Sequence, residues 1–213
     1  MVDLYSDLQK IGFRVTTNED KSKDHVDIEK TLVDALYFVD EDSRLLSLIF
    51  SWAQVHGSHL IADKFIKYYS IGTKYRGTSP WVIAFSSQML ELKDHRFKKL
   101  IKPLDNETWI GGNIQRTALK MDGGIEHLLK LNIMIPKKFI RIRPKDVLSK
   151  KELIEINPQY ANRFRYGTNW RSEIITLIER GETVPFKIAK ELGISPSRVS
   201  SVVKDLNLIS QVI

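Results

Sequence analysis

Six residues near the carboxyl end of the chain, Ser195, Ser197, Arg198, Ser200, Ser201 and Lys204, have the chemistry to read a nucleic-acid duplex. Serine hydroxyls donate to or accept from several base edges, arginine pairs bidentately with guanine, and lysine presents a point charge to phosphate. Lys187 and Arg171 add two cations just upstream. A second basic group, Lys137, Lys138, Arg141, Arg143 and Lys145, has two readings: further contacts to a phosphate backbone, or the solvated edge of a strand.

Other chemistries find less support. His56, His59 and Asp63 are spaced three and four apart, which on one helix would suit zinc. Gly57 and Ser58 interrupt that helix, and the expectation is that these residues cap helices around a turn. Glu91 and Lys93 form the acid-x-lysine triplet with which metal-dependent nucleases hold Mg²⁺ and water on a strand, but here it falls in a helical pattern. The glycine pairs in "GGNIQR" and "MDGG" lack the lysine and hydroxyl residue of a phosphate-binding loop. No catalytic residue, metal ligand or cofactor is therefore assigned, and a non-enzymatic protein is expected.

Composition frames the same choice. The 213 residues are 42% hydrophobic, enough for a medium core plus a small one. Cysteine is absent, which rules out disulfide and thiolate chemistry and suits a reducing compartment. Asp3, Asp7 and Lys10 stand where a signal peptide needs apolar residues, and no run is long enough to span a bilayer. A cytoplasmic, nucleoid-associated protein without membrane contact is the expectation. Residues 1–100 hold 14 basic and 14 acidic side chains, so the net charge of +7 belongs wholly to residues 101–213. A neutral front and a basic back suit a polyanionic partner.

The elements that must position these residues are mostly helices. Ile28, Leu32, Ala35 and Leu36 recur at helical spacing; Leu45, Leu46, Ile49, Phe50 and Ala53 form a second stripe ending at Gly57. A third helix is expected over Leu60–Tyr69, and a fourth from Pro80 with Ser79 as its cap. A polar loop is expected at 16–25. Ile125–Leu131 reads as a short helix, and the alternation in "KKFIRIRP" reads as a short strand near 138–143. "INPQYANRFRYGTN" mixes turn formers with aromatics and arginines, which places a domain junction near residue 165.

Beyond it, Asn169 can cap a helix over Trp170–Arg180, and Pro185 opens another that ends at Leu192. Gly193 stands where the chain must reverse, Ile194 can plug the angle, and Ser195-Pro196 starts a helix with Val199, Val202 and Val203 on its buried side. Ala189, Gly193, Ile194, Val199 and Val202 thus match the spacing of the helix-turn-helix of bacterial and phage transcription regulators, which residues 185–206 resemble. With Trp170–Arg180 in front, the segment resembles a three-helical domain of the winged-helix superfamily. Only "NLISQVI" follows, one strand with "ETV" at 182–184 as its available partner, so a full wing is not expected.

The resulting expectation is a mainly α protein with minor β. A helical domain over 1–165 serves dimerisation or the binding of a partner or effector, and a helix-turn-helix domain over 166–213 binds DNA. The resemblance implies sequence-specific binding of double-stranded DNA by a homodimeric transcriptional regulator, with a protein partner conceivable through the front domain. A nuclease or recombinase targeted by the motif, and a plasmid-maintenance or antitoxin-like protein that bridges DNA, are the rival classes.

Overall fold

The computed structural model describes residues 4–16, 26–110 and 113–210, most of them in helices. The chain divides into two compact units, Met1–Leu153 and Ile154–Ile213. The division falls ahead of the junction expected near 165.

The first unit opens with α1 (Leu4–Lys10) and α2 (Ile28–Tyr37). Asp27 starts α2 by accepting the amide of Lys30 at 3.0 Å, one of the donors a helix start leaves unmet. The predicted apolar stripe of α2 is buried, as is that of α3 (Arg44–His56). α4 (Ala62–Arg76) begins near the expected place but runs past Tyr69 to Gly77, whose φ of 77° ends it. Gly72 sits within α4 because the ring of Tyr37 packs there: a Cβ at that position would lie 3.0 Å from the ring. α5 (Pro80–Glu91) has proline at its start. Ser79 holds the expected N-cap position, but its hydroxyl donates to the Leu36 carbonyl at 3.4 Å rather than bonding a helix amide.

Two aromatic groups centre this unit. Phe65 of α4, Phe85 of α5 and Phe97 of a 3₁₀ segment, His95–Leu100, meet with ring centroids 5.2–5.8 Å apart. Trp52 stacks on Phe13 and donates its indole N–H to the Ile11 carbonyl at 2.7 Å. Between α2 and α4, buried Lys64 reaches Asp27 at 2.6 Å, and Glu29 accepts the Ile61 amide at 2.9 Å.

The strand expected near 138–143 is not formed. The two strands described are β1 (Thr108–Trp109) and β2 (Ile133–Met134), paired in parallel with Thr108 opposite Ile133. Lys137–Phe139 is a turn, and the extended residues after it lie along α3. There the amides of Arg141 and Arg143 donate to the hydroxyls of Ser47 and Ser51, at 3.3 and 2.9 Å. Two serines one helical turn apart supply what a neighbouring strand supplies in a sheet. The helices α6 (Asn113–Asp122), α7 (Glu126–Leu129) and α8 (Lys150–Ile156) complete the series up to the second unit. α7 matches the predicted short helix; α6 and α8 were not anticipated. Of the polar loop expected at 16–25, all but Thr16 lies outside the described residues.

The second unit contains α9 (Pro158–Tyr166), α10 (Trp170–Glu179), α11 (Pro185–Leu192) and α12 (Pro196–Ser210). α9 occupies the stretch read as a junction. Its Gln159, Asn162 and Arg163 are buried and bonded to α10, which is why the boundary lies before it. The strand expected after Leu206 is absent as far as Ser210, because α12 continues through those residues and 182–184 stays irregular. No helix among the described residues is long and apolar enough to cross a membrane.

His56 gives the first unit a pH dependence. Its ring is buried beside Trp52, with Nε2 2.9 Å from the Leu148 carbonyl, so Nε2 carries the proton in the neutral form. Burial lowers its pKa to about 4. The unfolded chain binds this proton near pH 6.5, so the stabilisation is complete above that pH and is lost as pH falls toward 4. Urea denaturation at pH 7 and pH 5 should show less stability at the lower pH. A His56→Gln variant should show a smaller difference between the two.

Candidate nucleic-acid interface

α11 and α12 meet through one residue with left-handed backbone. Gly193 has φ 66° and ψ 41°, a conformation that costs side-chain-bearing residues about 1–2 kcal/mol. The reversal lets the amide of Ile194 reach the Ala189 carbonyl at 3.0 Å and brings both helices onto α10. The shared core is Ile174, Ile175 and Leu177 of α10, Ile188, Ala189 and Leu192 of α11, and Val199 and Val202 of α12. Trp170, Ile178, Ile194, Val203 and Leu206 close its edges. The small side chain of Ala189, in the middle of α11, permits the close approach of α12.

With Val199 and Val202 inside, helical geometry puts Ser197, Arg198, Ser201 and Lys204 outside, and all four are exposed. Among the described residues, the Arg198 side chain has no ion-pair partner. Ser195 and Ser197 are exposed and their hydroxyls lie 3.0 Å apart. Ser200 is half-buried and donates to the Pro196 carbonyl at 3.1 Å, so it stands beside the exposed face rather than on it. The start of α12 offers few free amides to a phosphate. Pro196 has none, and the Arg198 amide is bonded to the Ser195 carbonyl at 3.1 Å.

The flanking cations separate. Arg171 is not a free phosphate contact: its Nη1 lies 2.8 Å from Asp205 Oδ2, joining the start of α10 to α12. This explains an arginine in the first turn of a helix, where the dipole disfavours it. Lys187 is exposed and only loosely paired, 3.8 Å from Glu182. Lys190, three residues on and so on the same side of α11, is also exposed.

The second basic group belongs to the first unit. Lys138 is paired with Asp122 at 2.6 Å; Lys137, Arg141, Arg143 and Lys145 are exposed. The charge is therefore divided. Residues 154–213 carry eight basic against six acidic side chains, a net of only +2.

The residues weighed for metal chemistry do not combine. The His56 ring is committed to Leu148 rather than capping a helix, and exposed Asp63 faces Lys99 at 3.4 Å. Glu91 ends α5, and Lys93 follows at a positive φ of 69°, so the triplet lies on no strand.

Sequence reasoning also missed the residues that brace α10. Glu173 Oε1 accepts from Arg163 Nε at 2.8 Å and Nη2 at 2.7 Å, and Oε2 accepts from Gln159 at 2.7 Å. Arg163 and Glu173 are both almost wholly buried. Asn157 as a helix cap and Pro158 as a first residue were the legible signs of α9. Comparison with protein-family models, curated proteins and solved structures gives no match.

Two substitutions test this scaffold. Gly193→Ala should lower the unfolding free energy by about 1–2 kcal/mol, and Gly193→Asn by less, in urea denaturation. Glu173→Ala removes the acceptor for a buried guanidinium and should cost about 3–5 kcal/mol. An Arg163→Met/Glu173→Leu pair should recover most of that loss.

Proposed function

We propose that the chain binds double-stranded DNA through residues 154–213, with α12 as the reading helix, and acts as a transcriptional regulator. The observation that carries this reading is the exposed row Ser197, Arg198, Ser201 and Lys204 on a helix whose opposite side is locked into the α10–α11 core. A helix about 10–12 Å across, side chains included, fits the major groove, and a rigid mounting lets a few side chains meet base edges in a fixed register. Arg198 is the candidate for guanine, Ser197 and Ser201 for several base edges, and Lys187, Lys190 and Lys204 for phosphate.

The reading surface is small, and it has no wing among the described residues. Useful affinity then calls for two copies on a two-fold site, so a homodimer is part of the proposal. Sedimentation at micromolar concentration should give a dimer, free or on DNA; a monomer in both conditions removes that part.

Titration of a fluorescent promoter library at two salt concentrations tests DNA reading directly. We expect a preferred sequence over bulk DNA and weaker binding at higher salt. Arg198→Ala should cost about 1–3 kcal/mol and relax discrimination at one base pair, whereas Lys204→Ala should weaken all sequences alike and lower the salt slope by about 1. No binding at low salt refutes the proposal. Cleavage of supercoiled DNA with Mg²⁺ points instead to a nuclease, and a footprint that spreads with protein concentration points to a bridging protein.

A further inference from the structure

The alternation in "KKFIRIRP" has a use apart from DNA. In extended backbone, residues two apart share a side. Arg141 and Arg143 accordingly share a side, and with Phe139 of the preceding turn they line a groove of about 700 Å³ in the first unit. Ser47 and Ser51 hold this segment by its backbone, leaving both guanidinium groups unspent. Among the described residues, neither has an ion-pair partner.

The lining also includes Asp42, Arg44, Leu48, Tyr5 and Val15. The charges of Asp42 and Arg44 are already committed. Arg44 is bidentate on Asp42, at 2.9 and 2.8 Å, and the Tyr5 hydroxyl donates to the same carboxylate at 2.7 Å. These bonds, those from Arg44 foremost, hold the Asp42 carboxyl at about 2, so the pair stays neutral as a unit. Asp146 is the other acid of the lining. The lining therefore carries two guanidinium groups without an ion-pair partner against one further carboxylate, together with apolar surface from Val15, Leu48 and Phe139.

From this we infer that the groove binds a small amphipathic organic anion. Its carboxylate is held by Arg141 and Arg143, and its hydrocarbon body lies against Phe139 and Leu48. The volume falls within the range of about 300–1,000 Å³ usual for small-molecule sites. Arginine suits a carboxylate because its fork matches both oxygens. A bare phosphate chain would leave the apolar surface uncovered, so the surroundings of these arginines favour an anion with an apolar body over a nucleic-acid backbone. The inference does not depend on the DNA reading.

Isothermal titration of the full chain with naphthaleneacetate, and with naphthaleneethanol as its neutral analogue, provides the test. We expect the carboxylate to bind about tenfold more tightly or better, the scale of one charge-assisted hydrogen bond. The Arg141→Gln/Arg143→Gln protein should lose this preference while retaining alcohol binding. Its helical circular dichroism and thermal midpoint should stay near those of the parent, because the bonds to Ser47 and Ser51 are made by backbone. If that variant fails to fold, Arg141→Lys/Arg143→Lys keeps the charge without the fork and should reduce the preference several-fold. Absence of carboxylate binding at millimolar concentration, equal affinity for acid and alcohol, or a preference undiminished in the folded variants overturns the site.

Discussion

A guanidinium and a carboxylate withdrawn from water set the geometry of the second unit. Burying either charge alone costs several kcal/mol, so Arg163 and Glu173 can be enclosed only together and with their remaining atoms satisfied. Gln159 meets the second oxygen of Glu173, and both donors come from α9. One rotation of α9 on α10 meets these demands at once. The rest of α10 is then turned so that Ile174, Ile175 and Leu177 face α11 and α12. Breaking the pair leaves a buried charge uncompensated, so it ties α9 to α10 in this arrangement. The same α10 carries the core on which α12, with its exposed row, is seated.

Much of this unit was legible because its signals are local. Pro185 at a first helical position, Gly193 at a reversal and the valine spacing in α12 each act within a few residues, and the helices formed where they indicated. α9 was not legible by the same means. The side chains it buries against α10 are glutamine, asparagine and arginine, so a hydrophobic pattern finds nothing to count. The region after Leu206 failed differently: its apolar residues suit a strand or a helix equally, and no glycine or proline stops α12.

The first unit repeats that division. The stripes of α2 and α3 lie in single helices and were readable. The alternation at 139–143 suggested a strand, but Ile142 is exposed like the arginines beside it, and periodicity cannot say what satisfies the backbone. That role fell to Ser47 and Ser51, whose spacing has meaning only once α3 is formed and lies beside the segment. Arg171 was legible as a cation near the motif; the sequence held no means of finding Asp205, thirty-four positions away, as its partner.

The distribution of charge bears most directly on function. A protein that binds DNA mainly by counterion release needs many cations on the docking surface, each adding to affinity and to salt dependence. Residues 154–213 carry a net of +2, and Arg171, one of their eight cations, is tied to Asp205. Arg163 is buried and cannot reach a phosphate. Such a unit has little general attraction for a polyanion. If α12 reads DNA, its affinity must come from close fit in the groove and from pairing two units on one site. The larger basic excess lies in the first unit, where two of its arginines line a groove that also presents apolar surface. The +7 of the whole chain is thus the sum of two separate surfaces, each with its own chemistry.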